Sequence, residues 1–161
     1  MSITIPAFDP LSIPIAGTNL IEASAGTGKT YGIAALFTRL VVLEQMPVES
    51  ILTVTFTKAA TAELKTRLRA RLDEVLQALE SVEDTDNLSD DLEAYCRDNH
   101  PGDVFLTGLL KQALAQESRA RLIVRLKAAI GQFDNAAIYT IHGFCQRILR
   151  DYAFLCRAPM D

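Results

Sequence analysis

The sequence has little of what would mark a secreted, metal-bound or membrane-spanning protein. It has three cysteines, Cys96, Cys145 and Cys156, an odd number without C-x-x-C spacing. That argues against a disulfide framework and against a zinc site, and leaves reduced, partly buried thiols in a cytoplasmic protein as the expectation. No stretch approaches the roughly 18 continuous apolar residues of a membrane helix. Pro6, Asp9, Pro10 and Pro14 interrupt the region where a secretory signal would need an unbroken apolar run. An excess of positive charge is also missing: the formal net charge is −4, which weighs against a chain that binds polyanions over its whole surface. The acidity is local, however. Nine acids and one base lie between Glu80 and Asp103, whereas Lys58, Lys65, Arg67, Arg69 and Arg71 face a single acid, Glu63, in their stretch. The acidic stretch has no metal-ligand spacing and reads as solvated loop and helix surface, and basic surfaces remain open elsewhere.

What the chain does have is a core. Its 161 residues are 49% hydrophobic, enough for one domain of ordinary size. Residues 1–17 read as irregular, 18–23 as a first buried strand, and 29–45 as a helix that is apolar around most of its surface and stopped by Pro47. Residues 50–56, with Ile51, Leu52, Val54 and Phe56 between threonines, read as a parallel internal strand. Over 59–79, Leu64, Leu68, Leu72, Val75, Leu76 and Leu79 form one helical stripe, from which Lys65, Arg67, Arg69 and Arg71 fall away onto what reads as a solvated or nucleic-acid-facing side. A loop over 81–91 leads to helices near 90–98, 103–117 and 118–131. A third strand is expected over 136–141, and an amphipathic helix over 142–155. The class is α/β, a parallel sheet with flanking helices and a helical insertion.

Three segments can carry chemistry. Ala23-Ser24-Ala25-Gly26-Thr27-Gly28-Lys29-Thr30 lies between an apolar run and a helix start. In that strand–loop–helix setting backbone N–H groups wrap the phosphates of a nucleotide, and the positive end of the helix dipole faces them. Lys29 can reach the β/γ-phosphates and the Thr30 hydroxyl can ligate Mg²⁺. The loop departs from G-x-x-x-x-G-K-[ST] only at Ala23, where the smallest side chain replaces the first glycine. Thr57 and Lys58 follow the 50–56 strand. They suit a phosphodiester backbone, and equally a threonine cap followed by a solvated lysine. Thr140, His142 and Phe144 follow the next strand. There His142 and Phe144 offer a hydrogen bond and a stacking surface to a base, or serve the structure alone.

Together and in this order, 20–30 (LIEASAGTGKT), 53–64 (TVTFTKAATAEL) and 138–145 (IYTIHGFC) resemble motifs I, Ia and Ic of UvrD-like superfamily 1 DNA helicases. The wording is most similar to the RecB type, the beta-subunit type of exodeoxyribonuclease V. The resemblance implies a partial RecA-like P-loop NTPase domain, with 1–70 as the first part of motor domain 1A, 71–131 as part of a helical subdomain 1B, and 132–161 as the return to 1A. It implies ATP and Mg²⁺ at the phosphate loop. Thr57, Lys58, Thr140 and His142 are implied to lie near a single-stranded DNA track. For a full-length member it implies helicase and exonuclease action on duplex ends in double-strand-break repair and recombination, with RecC- and RecD-like subunits. Family members often place arginine after G-K-T, near the adenine; Tyr31 stands there in this chain, and residues 1–17 hold no glutamine to read adenine.

A complete motor also needs an acid pair to hold Mg²⁺ and activate water, and a second RecA-like domain with an arginine finger. No apolar strand ending in Asp-Glu follows Cys145. The expectation is therefore an amino-terminal fragment that is inactive alone and prone to self-association through an open sheet edge. The alternatives are a self-contained P-loop NTPase or kinase, and a non-catalytic module that binds single-stranded DNA.

Overall fold

The computed structural model describes residues 7–22 and 28–152. In chain order the elements are α1 (Lys29–Val42), β1 (Thr53–Thr55), α2 (Lys58–Glu80), α3 (Leu88–Asn99), α4 (Val104–Gln116), α5 (Arg119–Gly131), β2 (Ile138–Thr140) and α6 (Ile141–Asp151). Single 3₁₀ turns lie at Val48–Ser50 and Phe133–Asn135. β1 and β2 pair in parallel, with Thr53 opposite Ile138 and Thr55 opposite Thr140. A parallel pair cannot be joined by a hairpin, and here α2–α5 make the crossover. The result is an α/β arrangement consistent with a partial RecA-like fold.

Apolar spacing explains the packing. The α2 stripe of Leu64, Leu68, Leu72, Val75 and Leu79 is buried as its period requires. It shares one core with Phe37, Val41 and Val42 of α1, Leu106, Leu109 and Leu110 of α4, and Leu122 and Leu126 of α5. Each such side chain contributes about 1.5–3 kcal/mol by leaving water. Polar ties fix the ends. Arg125 donates to the carbonyls of Val41 and Val42 at 2.6 and 2.7 Å and pairs with Glu117, supplying partners to carbonyls that the end of α1 leaves open. Arg39 donates to the carbonyls of Pro10 and Ile13 at 3.0 and 2.8 Å, so the 7–22 segment lies along α1. Leu11 of that segment reaches α4 at Gly108, where a Cβ would come within 2.6 Å of its Cδ1.

Several boundaries differ from the sequence reading. α1 stops at Val42, short of Pro47. Gln45 takes a left-handed φ of 55° and turns the chain so that the Met46 N–H donates to the Leu40 carbonyl at 3.0 Å. α3 begins at Leu88, inside the expected loop, because Asp90 and Asp91 are its first-turn acids, favourable against the helix dipole. The expected first strand is not formed over its described part, 18–22. Leu20 is 84% exposed, and β1 and β2 are the strands that pair among the described residues. An apolar run signals burial, whereas a strand also needs a neighbour to bond. The expected end of the last helix, 153–155, lies outside the described residues. Among the described residues no helix is long and apolar enough to cross a membrane.

Candidate nucleotide site and strand-end surface

Gly28 caps α1 with φ 83° and ψ 26°, a left-handed conformation that glycine adopts without Cβ strain. Among the described residues no side chain caps this helix and no acid stands in its first turn. α3 and α5 likewise begin without a side-chain cap, whereas the other three helices have one. α2 is capped by Thr57, whose Oγ1 accepts from the Ala60 N–H at 3.1 Å; α4 by Asp103, which accepts from Leu106 at 3.0 Å; and α6 by Thr140, which accepts from Gly143 at 3.0 Å. The first N–H groups of α1 thus lack a side-chain acceptor among the described residues, at the positive end of the dipole. Lys29 beside them is exposed and Thr30 half-buried. A cavity of about 290 Å³ opens next to Gly28 and Lys29, walled by Phe8, Ile21, Gly32, Ile33 and Leu36. Ala23, Ser24, Ala25, Gly26 and Thr27 lie outside the described residues.

Tyr31, in the first turn of α1, points its hydroxyl at Asp103, donating to Oδ1 at 3.3 Å. The Asp103 carboxylate is held by a forked contact from Arg71, at 2.8 Å to Oδ1 and 2.5 Å to Oδ2. Arg71 also reaches Glu74 at 2.6 Å and lies over the rings of Tyr31 and Phe105, at 5.7 and 5.2 Å from their centroids. Arg71 therefore departs from the expected solvated face and is buried. Burial works against its charge, but the hydrogen bonds to Asp103 and Glu74 outweigh it and raise its pKa. Burial likewise works to raise the Asp103 carboxyl, yet Arg71 and the Leu106 N–H hold it below the usual carboxylate range. Burial, then the Asp103 charge, pushes the Tyr31 phenol up. No sequence signal short of pairing α2 with α4 would have found this cluster. Of the other bases on α2, Arg67 and Arg69 make exposed pairs with Glu63 and Asp134.

The parallel register sets the ends of β1 and β2 side by side, so Thr57–Lys58 and Thr140–His142 leave the same sheet edge. Lys58 and His142 are exposed. Both threonines cap the helices that follow, which fits the structural alternative at these positions. Phe56, between β1 and the Thr57 cap, is 89% exposed, and the sequence reading had placed it in the strand. The signal was its position directly before a polar cap, where a strand side chain has run past its last hydrogen-bonded neighbour. Beside β2, Tyr139 and Phe144 stack at 6.4 Å between centroids, and Arg147 bonds the Tyr139 hydroxyl and lies over its ring. Among the described residues no group of three or more His, Cys, Asp or Glu side chains converges as a metal site.

The chain matches the UvrD/REP helicase N-terminal domain over residues 9–158. It belongs to that family. It is 42% identical to the RecBCD enzyme subunit RecB of Haemophilus influenzae and 41% identical to that of Escherichia coli, in each case over 96% of this chain and 12% of the relative. The same subunit of Mycolicibacterium smegmatis is 38% identical over 83% of this chain and 10% of the relative. The chain thus spans about an eighth of the length of the first two relatives. The matched helicase-domain span includes residues 23–30 and both strand ends, so the three segments that carry the resemblance belong to one family domain.

Proposed function

We propose that this chain holds the phosphates of ATP in a RecB-like DNA motor, and that its strand-end surface faces single-stranded DNA. The observation that carries the reading is the start of α1. A helix that begins with left-handed Gly28, lacks a side-chain cap and first-turn acid, and presents Lys29 and Thr30 is suited to an anion. Residues 23–30 would wrap the phosphates, with Lys29 on the β/γ-phosphates and Thr30 as a Mg²⁺ ligand. The nucleotide supplies the energy of the motor through its phosphoanhydride. The Tyr31 ring is committed to Arg71 and Asp103 and does not line the cavity beside Gly28 and Lys29, whose apolar wall of Phe8, Ile33 and Leu36 is left for the base.

On the sheet edge, Lys58 supplies charge for a phosphodiester and His142 a hydrogen bond. Thr57 and Thr140 accept from the Ala60 and Gly143 N–H groups and so hold the starts of α2 and α6, with Lys58 and His142, beside the DNA strand. In this reading 1–70 and 132–161 form parts of motor domain 1A, and 71–131 forms part of subdomain 1B. The whole protein would unwind and degrade DNA from duplex ends in repair, with RecC- and RecD-like partners, in the cytoplasm. The 161 residues would bind ATP without turning it over, since catalysis needs an acid pair and an arginine finger that this sequence does not provide.

The test is titration of the purified chain with Mg²⁺ and a fluorescent ATP analogue. Saturable binding that unlabelled ATP displaces and Lys29→Ala abolishes is the expected result. Binding that survives Lys29→Ala would remove the phosphate site, and DNA-stimulated hydrolysis by the chain alone would refute the division of labour.

A further inference from the structure

Lys29 and Thr30 belong to the first turn of α1, so whatever fixes that turn fixes the direction of their N–H groups. Hydrophobic packing begins only at Ala34 and Ala35. Ahead of it Lys29, Tyr31 and Ile33 are exposed, and Thr30 and Gly32 are half-buried. Across the first turn the tie to the helical crossover is Tyr31. Its hydroxyl donates to Asp103 at 3.3 Å and its ring lies 5.7 Å from the Arg71 guanidinium carbon. Neither partner is free to move. Asp103 is engaged at both oxygens by Arg71 and by the Leu106 N–H at the head of α4, and Arg71 is anchored on Glu74 of its own helix. The anchor belongs to α2 and α4, while the residue it holds stands two places after Lys29.

We infer that Tyr31 is a positioning residue. Through Asp103 and Arg71 it sets the first turn of α1, and with it the aim of Lys29 and of the first N–H groups of the helix at a nucleoside triphosphate. The inference rests on the phosphate reading above and goes beyond it, because it assigns control of the nucleotide site to the α2–α4 junction. Catalysis and binding by fixed dipoles depend on orientation held to fractions of an ångström. One hydrogen bond at the loop's exit is therefore enough to matter for affinity while adding little to global stability. Arg71 also lies on the helix whose first residue is Lys58. At 1.5 Å per residue the two are about 20 Å apart along one rigid element, so the same junction joins the candidate phosphate site to the candidate DNA surface.

The test is Tyr31→Phe, which keeps the ring over Arg71 and removes only the hydroxyl. The probe is Mg²⁺ with the fluorescent ATP analogue, read beside the thermal midpoint. The expected result is affinity weakened about three- to tenfold, the range for one lost hydrogen bond, with an unchanged midpoint. In an Asp103→Ala background, which removes the acceptor, Tyr31→Phe should then cost markedly less, which a purely structural role or a direct contact with the nucleotide would not produce. Unchanged affinity in Tyr31→Phe overturns the inference while leaving the phosphate site intact. So does an equal loss in both backgrounds, which would place Tyr31 directly on the nucleotide. Absence of binding by the unsubstituted chain overturns the phosphate reading, and the inference with it. If Asp103→Ala does not fold, the Tyr31→Phe affinity and midpoint decide alone.

Discussion

Replacing Asp103 by alanine tests the cluster at its centre. The substitution removes three things at once: the fork on Arg71, the cap of α4 and the acceptor for Tyr31. Breaking one partner from a buried ion pair costs about 3–5 kcal/mol because the other charge stays behind. Here Glu74 remains on Arg71 at 2.6 Å, so the lower part of that range or somewhat less applies, about 2–3 kcal/mol. Loss of an aspartate cap adds about 1 kcal/mol. The combined loss of roughly 3–4 kcal/mol moves a urea midpoint down by about 1.5–2 M, at a slope near 2 kcal/mol per molar. Asp103→Asn keeps a good cap acceptor and removes the charge, so it should fall between wild type and Asp103→Ala. Asp134→Ala is the control, since that side chain is 93% exposed and pairs with Arg69 at 3.7 Å; no measurable change is expected. An Asp103→Ala midpoint equal to that of Asp134→Ala would refute the cluster's role, and an asparagine variant as damaged as alanine would refute the cap.

The same carboxylate gives the experiment a pH signature. Its native pKa lies below its ordinary value, so the unfolded chain binds more protons in the interval between the two. Its contribution is therefore present above the unfolded value, near pH 4, and is lost as pH falls through the lower native value. The stability gap between wild type and Asp103→Ala should stay constant near neutrality and narrow below about pH 4. A gap that widens on acidification would contradict the assignment of Arg71 as its partner.

Two further outcomes follow from contacts elsewhere. Arg125→Met should cost about 2–4 kcal/mol in urea unfolding, because it leaves the Val41 and Val42 carbonyls without their donor and strands Glu117, whose side chain is 8% exposed; a cost near zero would mean that water replaces it. Phe56→Ala should leave the thermal midpoint within a degree or so, since the ring is 89% exposed, yet weaken binding of a short oligothymidylate by about 1–3 kcal/mol, the worth of one base stack. Unaltered DNA binding would remove that ring from the DNA surface.

The helices were legible because their signals are local. The leucine spacing of α2 and the proline-glycine break before α4 each lie within a few residues, and the observed elements Lys58–Glu80 and Val104–Gln116 agree within a residue with the sequence reading. The two strands were legible as apolar runs, though each is shorter than expected because only the residues opposite one another in the register are bonded. The missed features depend on partners distant in the chain. Residues 18–22 have strand-like side chains and no bonded neighbour among the described residues. Arg71 has a surface residue's spacing and a buried residue's environment, since Asp103 reaches it from another helix. A one-dimensional pattern records which face is apolar, and it carries no record of which distant carboxylate will neutralise a base on the margin of that face.

The caps divide the helices into two groups, and α1 shares with α3 and α5 a start without a side-chain cap. α2 and α6 start immediately beyond the strand ends, and each spends a threonine hydroxyl on its own N–H groups. α4 uses a carboxylate that a buried arginine then neutralises. In these helices the dipole is answered from within, which is what stability alone would select. α1 begins with left-handed Gly28, which offers no side chain, and with Lys29. A basic first residue is shared with α2, at Lys58, and with the uncapped α5, at Arg119. An open, positively charged helix start is therefore common in this fold and suits an anion without selecting one. What separates α1 from α5 is the Gly28-Lys29-Thr30 wording with glycine in the left-handed region, so the phosphate reading stands on that wording and its strand–loop–helix setting.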